Sequence, residues 1–149
     1  MFDSSPEAHA RVSDIARELE RAQNWITSEG RPASMEGLDL RPASSLFRNR
    51  LLAGMRAKGV IAIGVDFTET QLQGANFEGA ALRAANFTGA DLRGVSFLNA
   101  KLSHASFQGA DISPLHLRPG RSLATRFDGA TLAGTGLAPS ADSPGPATA

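Results

Sequence analysis

The residues able to do chemistry are few and scattered. His9, His104 and His116 are the three histidines, and they lack metal-ligand spacing with one another. There is no cysteine, which removes thiolate ligands, thiolate nucleophiles and disulfides together. No G-x-S-x-G, phosphate-binding loop or G-x-G-x-x-G is present. Gly129-Ala130-Thr131-Leu132-Ala133-Gly134-Thr135-Gly136 is glycine-rich, but it belongs to a repeat described below. Asn86-Phe87-Thr88 has the form of a glycosylation sequon, again at ordinary repeat positions and without an export signal. No catalytic, cofactor or metal residue is assigned, and the chain is expected not to be an enzyme.

Charge leads to the same place. The 149 residues hold 15 basic and 15 acidic side chains, with 42% hydrophobic and 20% charged residues overall. Residues 1–39 carry eight acids against four arginines, whereas residues 40–65 carry Arg41, Arg48, Arg50, Arg56 and Lys58 and no acid. The simplest account pairs the two segments internally; a nucleic-acid site would need a larger uncompensated patch. The start, Met1 to Glu7, has neither a basic region nor an apolar stretch, so it does not read as a signal peptide. The longest bulky apolar run, Val60-Ile61-Ala62-Ile63, is far short of a membrane span, and a cytoplasmic location is the expectation.

Such side chains must be positioned by something, and a period of five supplies it. Apolar residues recur at Phe67, Leu72, Phe77, Leu82, Phe87, Leu92, Phe97, Leu102, Phe107, Ile112 and Leu117, miss at Ser122, and resume at Phe127, Leu132 and Leu137. A small or β-branched residue sits two before most centres, and glycine recurs two after them. Neither a helix nor a flat strand has that period. A chain that turns a corner every five residues does. The centre and the small residue then point inward, and stacked turns lie one strand spacing apart, about 4.8 Å.

Ala75-Asn76-Phe77-Glu78-Gly79, Ala85-Asn86-Phe87-Thr88-Gly89 and Ala90-Asp91-Leu92-Arg93-Gly94 resemble the A-(D/N)-(L/F)-x-x unit of the pentapeptide-repeat family. The resemblance covers residues 65–137. It implies a mainly β fold, a right-handed quadrilateral β-helix with four pentapeptides per coil and just under four coils. Family phasing would stack Phe67, Phe87, Phe107 and Phe127 on one wall, and Leu72, Leu92, Ile112 and Leu132 on the next.

Upstream, Ser5-Pro6-Glu7 reads as a helix start. Val12, Ile15, Leu19, Ala22 and Ile26 follow as an apolar stripe ending near Gly30, with Trp25 beside it. A second helix is expected from about Ser44 to Lys58, with Phe47, Leu51, Leu52 and Met55 on one side and Gly59 as its stop. Its basic residues could mark a membrane-surface or partner helix, but its apolar face is better spent on covering an open β-helix end. Residues 1–64 are thus read as a helical N-terminal cap, 65–137 as the β-helix and 138–149 as a disordered tail.

One stretch breaks the repeat: Ser113-Pro114-Leu115-His116-Leu117-Arg118-Pro119-Gly120-Arg121-Ser122-Leu123-Ala124. Its prolines cannot donate to a ladder, so it is a distorted coil or a projecting loop. In some members of that family, loops projecting from the rod mediate partner binding, and the resemblance makes His116, Arg118, Arg121 and Leu123 the candidate contacts with another protein. The expected function is a non-enzymatic protein-interaction scaffold without a cofactor, a membrane or direct nucleic acid. The alternative implied by the family is mimicry of duplex DNA toward DNA gyrase, protecting it from quinolones or toxins. With family phasing no wall is strongly acidic, which disfavours that alternative. An end-to-end homodimer through the last coil is a further expectation, with Leu132 and Leu137 placed to serve it.

Overall fold

The computed structural model describes residues 6–23 and 30–137. Its regular elements are a helix α1 (Pro6–Ala22), a 3-10 turn (Arg41–Leu46) and a hairpin of β1 (Leu115–Arg118) and β2 (Arg121–Leu123). Everything else of substance is a ladder of single parallel bridges, and the molecule is a β-helix. Leu51 pairs with Gln71, Arg56 with Asn76, Ile61 with Ala81 and Asp66 with Asn86; each of these partners pairs onward with the residue twenty further along. Four five-residue units therefore separate residues that share a ladder.

Local chemistry makes each corner. The carbonyl of each centre from Leu52 to Phe107 accepts from the amide three residues on, as Phe77 O does from Ala80 N at 3.0 Å. The third residue of that turn is left-handed: Gly79 has φ 69°, and the same slot is left-handed at Asn49, Glu69, Ala84, Asn99 and His104. Glycine recurs there because only glycine enters that region without a Cβ penalty. Asp or Asn before the centre closes the turn from outside. Asn76 Oδ1 accepts from Glu78 N at 2.8 Å, and Asn86 Oδ1 from Thr88 N at 3.0 Å.

Inside, like stacks on like. Phe67 lies 5.1 Å from Phe87, and Phe87 lies 5.3 Å from Phe107, in near-parallel stacks. Phe77 and Phe97 stack at 5.6 Å on another wall, and neighbouring walls meet edge to face, as Phe87 and Phe97 do at 5.6 Å. The centres from Phe67 through Leu102 are fully buried; Phe107 is nearly so, and Ile112, Phe127 and Leu132 are half-buried at the end of the rod.

Two expectations are corrected. The second helix over residues 44–58 does not form, and the β-helix begins upstream of Val65. Ser34 already pairs with Arg56 and Asp39 with Ile61, and the only helical segment there is the 3-10 turn. Phe47, Leu52 and Met55 are buried as the helical stripe required, but Leu51 is 42% exposed. The five-residue period runs on through Phe47, Leu52, Ala57 and Ala62. It was hidden because the two inward positions exchange sizes: Met55 faces inward with Ala57, and Val60 with Ala62. The volume is supplied two residues before the centre instead of at it.

The second correction concerns phasing. Phe127 does not stack on Phe107 but on Phe97, at 5.3 Å, and Lys101 pairs with Thr131, thirty residues on instead of twenty. Leu132 therefore continues the wall of Leu82 and Leu102, not that of Leu72 and Leu92. Ten residues are inserted, and Leu117, expected as an inward centre, is 55% exposed in the hairpin.

Helix α1 lies at the start of the β-helix. Ile15, Leu19 and Ala22 join the same buried core as Met35, Leu40 and Phe47. Glu18 fastens it: its Oε2 accepts from Ser34 N at 2.8 Å and meets Arg21 at 2.6 Å. Those donors, with Arg21 first among them, hold its carboxyl below the ordinary glutamate range. Acidic and basic segments do meet here, Glu20 with Arg50 at 3.6 Å and Glu36 with Arg56 at 3.6 Å. Arg48 and Lys58 instead reach forward to Asp66 and Glu78. Ser5, Trp25, Ile26 and the tail 138–149 lie outside the described residues.

Candidate interaction site

The hairpin starts where a corner fails. The left-handed slot after Ile112 is occupied by Pro114, whose ring holds φ near −65° and cannot supply it. The chain leaves the ladder there and returns at Arg126, which pairs with Ser96. Between them β1 and β2 run antiparallel, with Leu115 opposite Leu123, His116 opposite Ser122, and Arg118 opposite Arg121 across Pro119-Gly120. Gly120 has φ 79°, the conformation a Pro-Gly turn needs at its second central residue.

The base of this hairpin is held against the rod. A Cβ built on Gly94 would lie 2.9 Å from Leu115 Cβ and 3.3 Å from Leu123 Cδ2, so the paired leucines sit on a bare glycine corner. Gly74, one turn below, is the next surface that Leu115 meets. Thr125 ties the return: its hydroxyl donates to Leu92 O at 2.8 Å and accepts from Gly94 N at 3.0 Å. In the turn below, Gly74 N instead donates to the Arg93 carbonyl, so the threonine side chain stands in for the missing rung. Asp111 closes the exit side, accepting from Ser113 N at 3.0 Å and from its hydroxyl, which holds its carboxyl below the ordinary aspartate range.

His116, Arg118, Arg121 and Leu123 are thus brought together on one element, and all four are exposed. Leu123 serves partly as an anchor, being 41% exposed and close to Gly94. Neither Arg118 nor Arg121 forms an ion pair among the described residues. The anchors Leu115 and Thr125 were missed by sequence reasoning. The one available signal is that Leu115, two before Leu117, puts a large residue in a slot where the repeat carries a small one. His104 stands apart from the hairpin, at a left-handed corner packed over Gly134. Among the described residues no cluster of His, Asp and Glu could hold a metal ion, and no helix is long and apolar enough to cross a membrane.

The ten-residue insertion also redistributes surface charge. Arg126 and Asp128, which family phasing placed beside Phe67, lie on the wall of Phe77 and Phe97 and pair with each other at 2.9 Å. Arg118 and Arg121 belong to no wall. The wall of Leu82 and Leu102 keeps Arg83 and Lys101 and carries the outward Ile61 and Ile63, 37% and 42% exposed.

Comparison with known proteins agrees with this architecture. A family model for pentapeptide repeats matches eight copies over residues 52–89 and 80–113. Among solved structures, a pentapeptide repeat protein (Rfr23) from the cyanobacterium Cyanothece 51142 matches with a TM-score of 0.58 and 21% identity. The match covers 72% of this chain and 66% of that one. A pentapeptide repeat protein of the Arabidopsis thaliana thylakoid lumen gives a TM-score of 0.39 at 27% identity over 57% of this chain and 61% of that one. The full-length plasmid-mediated fluoroquinolone resistance protein QnrB1 gives 0.26 at 16% identity over 67% and 56%. The chain thus spans less than two thirds of each of these proteins. No curated protein sequence matches it. The repeat match, the left-handed corner in every regular unit and the likeness to a solved pentapeptide-repeat fold together show that residues 52–113 are pentapeptide repeats wound into a β-helix.

Proposed function

We propose that the chain is a non-enzymatic protein-interaction module whose quadrilateral rod presents the hairpin of residues 115–123 to another protein. The single observation that carries this reading is the combination of a rigid base with an exposed tip. Leu115 and Leu123 seat on Gly94 and Thr125 replaces a rung, while His116, Leu117, Arg118 and Arg121 face solvent. A preorganised projection binds without the entropy cost of ordering a loop. Helix α1 covers the first turn of the rod in this reading, so its apolar face is occupied and the hairpin is left for a partner. Leu132 and Leu137, half-buried at the far end, are where an end-to-end pairing of two copies would form.

Removing residues 114–123 tests the reading cleanly, because Ile112 and Phe127 then stand five residues apart and the ladder keeps its period. Partners captured by the full chain should be lost by this variant while its far-ultraviolet spectrum is kept. Retention of every partner by the folded variant would eliminate the hairpin. Light scattering reports on the pairing of copies.

Mimicry of duplex DNA toward gyrase draws no support from the redistributed charges. One wall carries Asp91 and Asp111 around Arg93, another balances Glu36, Glu78 and Asp128 with Arg56, Lys58 and Arg126, and the wall of Leu82 is basic. A duplex mimic needs a continuous row of carboxylates. A gyrase supercoiling assay with and without quinolone checks this, with no effect expected.

A further inference from the structure

We infer that the hairpin tip binds an acidic protein segment bearing an aliphatic side chain, an inference that rests on the hairpin being the partner contact. Arg118 and Arg121 are opposite each other across a two-residue turn, where like charges repel. Among the described residues no carboxylate pairs with them, and the hairpin from Ser113 to Ala124 contains no acid. The nearest acids along the chain are engaged elsewhere. Asp111 accepts from Ser113 and faces Arg93 at 3.7 Å, and Asp128 pairs with Arg126. Two guanidinium groups on a turn fixed by Pro119-Gly120 offer a fork that a carboxylate can enter, removing the repulsion on binding. Leu117, the most exposed large apolar residue described, lies beside them and gives an aliphatic side chain a surface to cover.

The same surroundings argue against nucleic acid as the occupant. A duplex would extend past the tip onto the neighbouring walls, where Asp91, Asp111, Glu78 and Asp128 lie. Two arginines also neutralise far fewer phosphates than a duplex site engages. A short acidic segment needs only the tip.

Fluorescence anisotropy of the full chain provides the test, with a labelled peptide of Glu-Leu-Asp-Gly repeats, its Gln-Leu-Asn-Gly counterpart and a labelled DNA duplex as probes. The acidic peptide should bind, weaken with rising salt, and lose about tenfold or more in affinity in the Arg118→Gln, Arg121→Gln double variant. Equal binding of acidic and neutral peptides, tighter binding of the duplex, or no loss in the double variant would each overturn the inference. Arg121→Glu guards against a merely structural role. It places an acid opposite Arg118, so it should slow amide exchange in the hairpin while abolishing peptide binding; faster exchange would overturn the repulsion on which the inference rests. If removal of residues 114–123 loses partners that the double variant keeps, the hairpin remains the contact and the acidic chemistry falls. If removal loses none, both fall.

Discussion

The regular corners between Phe67 and Ile112 and the two places where the chain leaves its ladder differ at one position. At every regular corner the residue two after the centre is left-handed, whether it is glycine or not. After Leu40 that slot holds Pro42, and the chain makes the 3-10 turn Arg41–Leu46 before Phe47 resumes the ladder two residues late. After Ile112 it holds Pro114, and the chain makes the hairpin and resumes ten residues late. A proline in that slot cannot turn the corner, and the chain continues outward until it finds another way back. The rod is thus uniform inside and interrupted only where backbone stereochemistry forbids the next unit.

The core should resist loss of volume most strongly. Phe87→Ala empties a site sandwiched between Phe67 and Phe107 and should cost about 3–5 kcal/mol by denaturant titration. Unchanged stability would contradict the inward placement of the centres. Gly79→Pro turns a regular corner into an interrupted one. It removes the amide that donates to Leu98 O at 2.8 Å and forbids φ 69°, so it should cost about 3 kcal/mol or more. A mild effect would undo the account of both departures.

Gly94→Ala and Gly79→Ala separate the corner from the hairpin. Both substitutions force a side chain to positive φ, but only at Gly94 does the new Cβ meet Leu115; nothing lies within 4 Å at Gly79. Gly94→Ala should be worse by about 1 kcal/mol, with faster amide exchange in β1 and β2. Equal costs would mean that the hairpin is not seated on that corner. The smallest expected change is a gain: Ala84, with φ 59°, should yield about 0.5–1 kcal/mol of stability on replacement by glycine. A loss would show that conformational strain at this slot is outweighed by the added chain entropy.

The repeat was legible from Phe67 to Ile112 because one large apolar residue stands at every centre there, and a centre buried in every unit leaves a strict period. It was illegible from Met55 to Ala62 because burial constrains the summed volume of two inward positions, not which of them is large. Met55 with Ala57 fills the interior as Ala75 with Phe77 does, yet the first pair reads as part of a helical stripe. The candidate contacts His116, Arg118, Arg121 and Leu123 were legible only as a departure from the period. Nothing local distinguishes a distorted coil from a hairpin once Leu117 happens to keep the spacing.

The sequence by itself determined the scaffold, since a five-residue burial period with small residues and glycines at fixed offsets is compatible with few backbones. It also contained the reason for both departures, Pro42 and Pro114 in a slot that requires positive φ. Only the tertiary structure decided how far the chain travels before rejoining. That depends on where Thr125 can replace a rung, where Leu115 and Leu123 can seat on Gly94, and which wall then receives Phe127. These are contacts between residues about twenty to thirty positions apart, and no periodicity encodes them.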